Sequence, residues 1–215
     1  MDNSYTQTFA KKNNIIGISG IIGVGKSTLG NNLSEKLQYN YLKEPVETNE
    51  YLESFYKDMS KYSFPMQVYL LNHRFKQHQQ MVWSDNSTIQ DRTIYEDVIF
   101  AKMLRESGNM EELDFKTYVD LFSNMSNFLH RPDLIIYLDV EPEVALERVK
   151  KRSRDCETDL TLEYLSKLKQ GYEEWINDIK DRIPILYLDW NTFQDTEKVI
   201  VLINHMLQKK KGLIV

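Results

Sequence analysis

Residues 20–27 read Gly-Ile-Ile-Gly-Val-Gly-Lys-Ser, an uninterrupted match to G-x-x-x-x-G-K-[ST]. Glycines in such a run let the backbone turn tightly and aim successive N–H groups at one anion. The helix that follows adds partial positive charge from its N-terminus. A lysine at this spacing reaches the β- and γ-phosphates of a nucleoside triphosphate, and the hydroxyl after it can bind Mg²⁺. Gly20, Gly23, Val24, Gly25, Lys26, Ser27 and Thr28 are therefore the candidate phosphate-binding residues. Lys26 is the candidate catalytic cation and Ser27 a candidate metal ligand. The loop specifies a triphosphate and leaves its acceptor open.

Other polar residues recur at spacings that share a helix face. Gln67, Leu71 and Arg74 stand at i, i+4 and i+7, and Asp97 and Phe100 at i and i+3. Arg148 and Arg152 are four apart, with Arg154 just beyond. Asp91-Arg92-Thr93 offers a hard oxygen suited to Mg²⁺ through water and a planar fork suited to phosphoryl charge. Each set has a plain structural alternative: a helix cap at Asp91, a surface pair of Arg74 and Asp97 beside a core Phe100, a solvated basic helix end for the arginines. Glu44, ahead of Pro45, is by itself an acidic residue before a turn. His73, His78, His130 and His205 form no metal-ligand spacing.

These residues must be carried by alternating strands and helices. Apolar runs at 14–19, 39–44, 88–91, 134–139 and 185–189 read as strands, of which 134–139 (LIIYLD) is the clearest buried one. Longer patterns at 26–37, 64–83, 94–106, 115–127, 141–152, 160–180 and 196–210 read as helices, with Pro65 suited to a first turn. The alternation argues a parallel sheet covered on both faces. The 215 residues, 41% hydrophobic and 27% charged, suit one domain at 14–208, between a flexible N-terminus (1–13) and a short basic tail (209–215). A net charge of −5 argues against a nucleic-acid partner. No apolar run approaches the ~18–20 residues of a membrane span, and residues 1–14 lack the apolar stretch of a secretory signal. A single cysteine, Cys156, excludes an intrachain disulfide, so the expected setting is the reducing cytoplasm, with an organelle left open.

Lys43-Glu44-Pro45-Val46, the stretch from Tyr56 to Gln67, and Asp91-Arg92-Thr93 together resemble the deoxynucleoside kinases, in particular their deoxyadenosine/deoxyguanosine kinase branch. The resemblance runs from Asn14 to Leu207. It implies a three-layer α/β P-loop kinase fold, with a five-stranded parallel sheet in the order 2-3-1-4-5, right-handed crossovers, an arginine-rich lid and a homodimer. It also implies ATP as phosphoryl donor, Mg²⁺ as cofactor and a deoxynucleoside as acceptor, in nucleotide salvage. By the same resemblance Glu44 is the general base on the 5′-hydroxyl, a task that suits a carboxylate within hydrogen-bond reach of an attacking hydroxyl. Asp91 stands near the metal, through water, and Arg92 holds the acceptor end and the transferring phosphate. Gln67, Arg74 and Asp97 read the base edge, and Phe100 stacks on it. Tyr56 and Glu157 hold the sugar 3′-hydroxyl. Arg148, Arg152 and Arg154 close over the ATP phosphates, and residues 191–193 lie on the adenine side. The stretch Arg154-Asp155-Cys156-Glu157 departs from the family's usual Arg-x-Glu-Glu, so the assignment of Glu157 depends on the register there.

The implied base readers favour some acceptors over others. A carboxylate at Asp97 only accepts, and Arg74 only donates. Adenine and cytosine present an amino donor beside a ring-nitrogen acceptor, and guanine offers O6 and N7 to Arg74. Thymine sets a carbonyl against the carboxylate. Thymidine is therefore expected to be poorest, and the resemblance to the purine-type branch implies deoxyadenosine first, then deoxyguanosine or deoxycytidine. Two other functions stay open from the residues alone. One is a nucleoside monophosphate kinase of the thymidylate type, whose acceptor phosphate would need further cations. The other is a catalytically silent nucleotide-binding module, against which Lys26, Ser27, Glu44, Asp91 and Arg92 stand together.

Overall fold

The computed structural model describes residues 13–45, 48–152 and 160–211. Arg154, Cys156 and Glu157 lie outside the described residues, as do nearly all of the N-terminus (1–12) and the end of the tail (212–215). Strand β1 (Ile15–Ser19) leads through the glycine loop into α1 (Lys26–Leu37). Next come β2 (Asn40–Leu42), α2 (Leu52–Lys57) and α3 (Met59–Val82). Strand β3 (Thr88–Asp91) ends in a 3₁₀ turn (Ile94–Glu96) that runs into α4 (Asp97–Glu106), and α5 (Glu112–Ser126) follows. Then come β4 (Leu134–Asp139), α6 (Pro142–Arg152), α7 (Leu162–Ile179), β5 (Ile185–Asp189) and α8 (Thr196–Lys211).

The strands form one parallel sheet in the order β2-β3-β1-β4-β5, with Ile15 opposite Thr88, Ile16 opposite Leu134 and Ile135 opposite Ile185. This is the order the resemblance implied. Strand β1 is buried throughout and β4 is buried up to Asp139, as strands with partners on both sides must be when helices cover both faces. Edge strand β5 alternates between core and solvent instead. Strand β3 (TIQD) is buried although mostly polar. Its Gln90 donates to the Gln77 side chain of α3, and its Asp91 is held in the site described below. Helices α1 and α8 pack on each other and on the strands, and α3, α4, α5 and α7 pack as a second group, with the sheet as the middle layer. Among the described residues no helix is long and apolar enough to cross a membrane.

Three elements differ from the sequence expectation. Strand β2 stops at Leu42, where its register with β3 reaches Gln90, so Glu44 lies beyond the strand rather than ending it. Helix α3 begins at Met59 rather than at residue 64, because the Asp58 side chain caps it by accepting from the Lys61 amide at 3.1 Å. Pro65 consequently lies inside the helix. The short helix α2, which carries Tyr56, was not legible in the apolar pattern.

Candidate active site

The carboxyl ends of parallel strands and the N-termini of the helices after them meet at one edge of the sheet, where ligands of open α/β folds bind. A cavity of ≈ 930 Å³ opens there, lined at one end by Gly23, Lys26 and Ser27 and at the other by Glu44, Gln67 and Phe100.

The phosphate end is built on backbone. Gly23 stands at φ +85, and a Cβ added to it would come within 2.6 Å of the Ala145 carbonyl oxygen. Gly25, the residue before α1, stands at φ +100. Both need the left-handed region that glycine enters without steric cost. Lys26 is buried, and its Nζ donates to the carbonyls of Gly20 and Ile21 at 3.0 Å each. Burial, and then the positive field of Arg92, lower its pKa to about 8. The Ser27 hydroxyl donates to Asp91 Oδ2 at 2.6 Å, and the Tyr41 hydroxyl donates to the same oxygen at 3.0 Å. Asp91 Oδ1 is buried with no hydrogen-bond partner. A hydroxyl and a carboxylate with an unmatched oxygen are donors of the kind Mg²⁺ takes, usually one or two from the protein with the rest from phosphates and water.

The other end is built on charge. Glu44 Oε1 accepts from Arg74 Nη2 at 2.8 Å and from Arg92 Nε at 2.9 Å. Burial alone would raise this carboxyl, but Arg92, Arg74 and Lys26 outweigh it and hold the pKa at about 2. The second arm of Arg74 donates to Asp97, which is fully buried. Burial pushes Asp97 up to about 7 against the pull of Arg74. The Arg92 guanidinium lies 4.6 Å over the Phe100 ring. Arg92 itself has φ +67, and its amide donates to the Ile18 carbonyl at 3.0 Å, so the chain turns sharply off β3 and aims the side chain into the cavity.

The structure thus brings Lys26, Ser27, Thr28, Glu44, Tyr56, Gln67, Arg92 and Phe100 onto one cavity. Arg74 and Asp97 sit behind that wall as a buried pair rather than on it, and not at the surface. With Gln67 Oε1, Arg74 Nε, Asp97 Oδ2 and the Tyr118 hydroxyl, this region holds buried polar atoms that lack a hydrogen-bond partner. Arg148, a lid residue by resemblance, also lines the cavity. It donates to the carbonyls of Val24, Trp190 and Asn191 and stacks 4.2 Å from the Phe193 ring, so it clamps the glycine loop to the segment after β5. Arg152 lines the cavity beside it.

Sequence reasoning missed Tyr41, Ser19, Glu96 and Tyr172, all of which bear on this site. Glu96 had a signal: Thr93 and Glu96 form a capping box, the T-x-x-E spacing being visible in the sequence. Asp91 was the cap considered, and Thr93 fills that place. Tyr41 and Tyr172 had none, because only folding brings them to Asp91 and Arg92.

The Deoxynucleoside kinase family model matches residues 16–209. A deoxyadenosine kinase of Dictyostelium discoideum is 52% identical over 188 residues, covering 87% of this chain and 77% of that protein. A deoxyadenosine/deoxycytidine kinase of Bacillus subtilis (strain 168) is 37% identical over 211 residues, covering 93% and 97%. Among solved structures, a deoxyadenosine kinase from M. mycoides with dCMP and a flexible dCDP bound superposes with a TM-score of 0.80 at 39% identity, covering 91% of this chain and 99% of that one.

Proposed function

The chain belongs to the deoxynucleoside kinase family and is a phosphotransferase, and from that we propose that it carries the γ-phosphoryl group of ATP to the 5′-hydroxyl of a deoxynucleoside, deoxyadenosine first, in nucleotide salvage. The observation that carries the reading is the meeting of an ionised Glu44 with Lys26 and Arg92 in one cavity. The 5′-hydroxyl attacks phosphorus, the Pγ–O bond to ADP breaks, and the hydroxyl proton passes to Glu44. Two guanidinium groups make Glu44 a weak base, so the proton leaves late, once the P–O bond has formed enough to acidify the hydroxyl. Lys26 and Arg92 face the charge that develops on the transferring oxygens. Mg²⁺, held by Ser27 and by Asp91 through water, would neutralise charge on the β- and γ-phosphates.

Both arginines beside Glu44 are already engaged by carboxylates, which suits a neutral hydroxyl better than an acceptor phosphate. Gln67 Oε1 on the cavity wall is unmatched, as are Arg74 Nε and Asp97 Oδ2 behind it, acceptors and a donor of the kind a nucleobase edge complements. The names of the Dictyostelium and Bacillus relatives support adenine, and the Bacillus name and the dCMP-bound relative support cytosine as a second base. Deoxyguanosine or deoxycytidine follows deoxyadenosine in the proposed order, and thymidine is last. ADP release measured with ATP, Mg²⁺ and each of the four deoxynucleosides tests the reading. Release that needs no acceptor, or that needs a nucleoside monophosphate, would overturn it.

A further inference from the structure

Behind Arg92 lies a buried polar chain that faces no part of the cavity. Glu96, on the 3₁₀ turn, is wholly buried. Its Oε1 accepts from the Ser19 hydroxyl at the end of β1 (2.8 Å) and from the Thr93 amide (2.7 Å). Its Oε2 accepts from the Tyr172 hydroxyl of α7 at 2.5 Å. The Tyr172 oxygen in turn accepts from Arg92 Nη1, which stands 3.7 Å from Glu96 Oε2. The proton positions have one consistent assignment. A guanidinium only donates, so the single phenolic proton must go to Glu96, which as a carboxylate only accepts. Burial raises the Tyr172 phenol well above its usual range, which keeps that proton in place. Arg92 needs such support, because its backbone holds a left-handed φ of +67 that a non-glycine residue seldom adopts. Glu44 holds the guanidinium at Nε, and Tyr172 holds it at Nη1.

We propose that Glu96 and Tyr172 are positioning residues: a buried relay that fixes the Arg92 guanidinium at the reaction centre and ties it, through Ser19, to the strand that feeds the phosphate loop. The proposal rests on Arg92 acting on the acceptor and the transferring phosphate. It connects three segments far apart in the chain, so that the catalytic arginine and the loop keep one geometry.

Tyr172→Phe deletes one hydroxyl and keeps the ring that packs on Phe100, Tyr137 and Trp175. Glu96→Gln keeps the shape but sets a donor where Tyr172 needs an acceptor. The experiment measures kcat, the KM for deoxyadenosine and Tm in each variant, alone and combined with Arg92→Met. Misplacement of a catalytic group on this scale should lower kcat ~10–100-fold. KM should move by less than about threefold, since uniform binding is not removed. In the Arg92→Met background either change should alter kcat by less than about twofold, because the coupled partner is gone. A wild-type kcat in Tyr172→Phe, or an equal loss with Arg92 already replaced, would overturn the relay. A lowered Tm with unchanged kcat would do the same, by making the network purely structural. Should Glu96→Gln fail to fold, Tyr172→Phe decides. A wild-type kcat in Arg92→Met alone would remove the role given to Arg92 itself, and the relay with it. A slowed Arg92→Met beside unaffected relay variants removes the relay only.

Discussion

The two ends of the cavity are built by different means. The phosphate end uses consecutive backbone around Gly23 and Gly25, and its reactive cation lies in the same eight residues. The acceptor end has no such run. Its Glu44 follows β2, its Arg74 comes from α3, its Arg92 from the end of β3 and its Asp97 from α4, and they are joined by ion pairs. The difference is also electrostatic. Lys26 is held at about 8, so it is a cation at neutral pH that loses its charge not far above it, whereas Glu44 is held at about 2 and stays ionised. A triphosphate is the same for every acceptor, so a fixed backbone cradle serves it. A base must be told from other bases, and directional side-chain donors and acceptors do that.

The sharpest way to break this comparison is Lys26→Ala, which should abolish turnover because the transferring phosphate loses its direct cation. Steady-state ADP release within about tenfold of wild type would mean that the loop is not the phosphate cradle. Next in size, Glu44→Gln should lower kcat ~10²–10⁴-fold, the range for a general base, while equilibrium binding of deoxyadenosine stays broadly intact. Near-normal turnover would remove the proton-accepting role.

A third change addresses selectivity. Arg74→Met with Asp97→Ala should raise the kcat/KM of thymidine relative to deoxyadenosine by ~5–150-fold, the equivalent of the ~1–3 kcal/mol cost of a buried unmatched polar group. Arg74 also holds Glu44, so every nucleoside should lose some kcat, and the ratio is the quantity to read. A ratio that does not move would exclude the pair from base recognition.

The smallest effect separates the ends by pH. Lys26 is lowered from 10.5 to about 8 by burial and Arg92, so it loses its proton as pH rises through about 8 and with it the attraction for ATP. The kcat/KM for ATP, which reports the free enzyme, should fall above that pH by up to about tenfold per unit. Glu44, lowered to about 2, should give no acid limb in the range where the protein is folded. An acid limb near 5 that vanishes in Glu44→Gln would show that the two arginines do not hold the carboxylate as described.

Legibility in the sequence followed the same division. The glycine loop was readable because its function lies in adjacent backbone groups. The strand at 134–139 was readable because a strand covered on both faces must be apolar throughout. The roles of Glu44, Arg74, Arg92 and Asp97 were reached through resemblance, since nothing in their spacing joins residues from four different parts of the chain. Helix α3 was started too late because the apolar pattern begins after its cap, and Asp58 carries no periodicity.

The amino-acid sequence by itself determined a P-loop motif, a parallel α/β sheet and, through matching motifs, the family. These depend on short-range features: a contiguous loop, apolar strands and caps. Only the tertiary structure decided that Arg74 bridges Glu44 and Asp97, that Arg148 clamps the loop to the segment after β5, and that Tyr172 and Glu96 stand behind Arg92. The physical reason is that a buried charge must find its partner wherever packing brings one. That partner comes from another element, at a distance along the chain that no local pattern records.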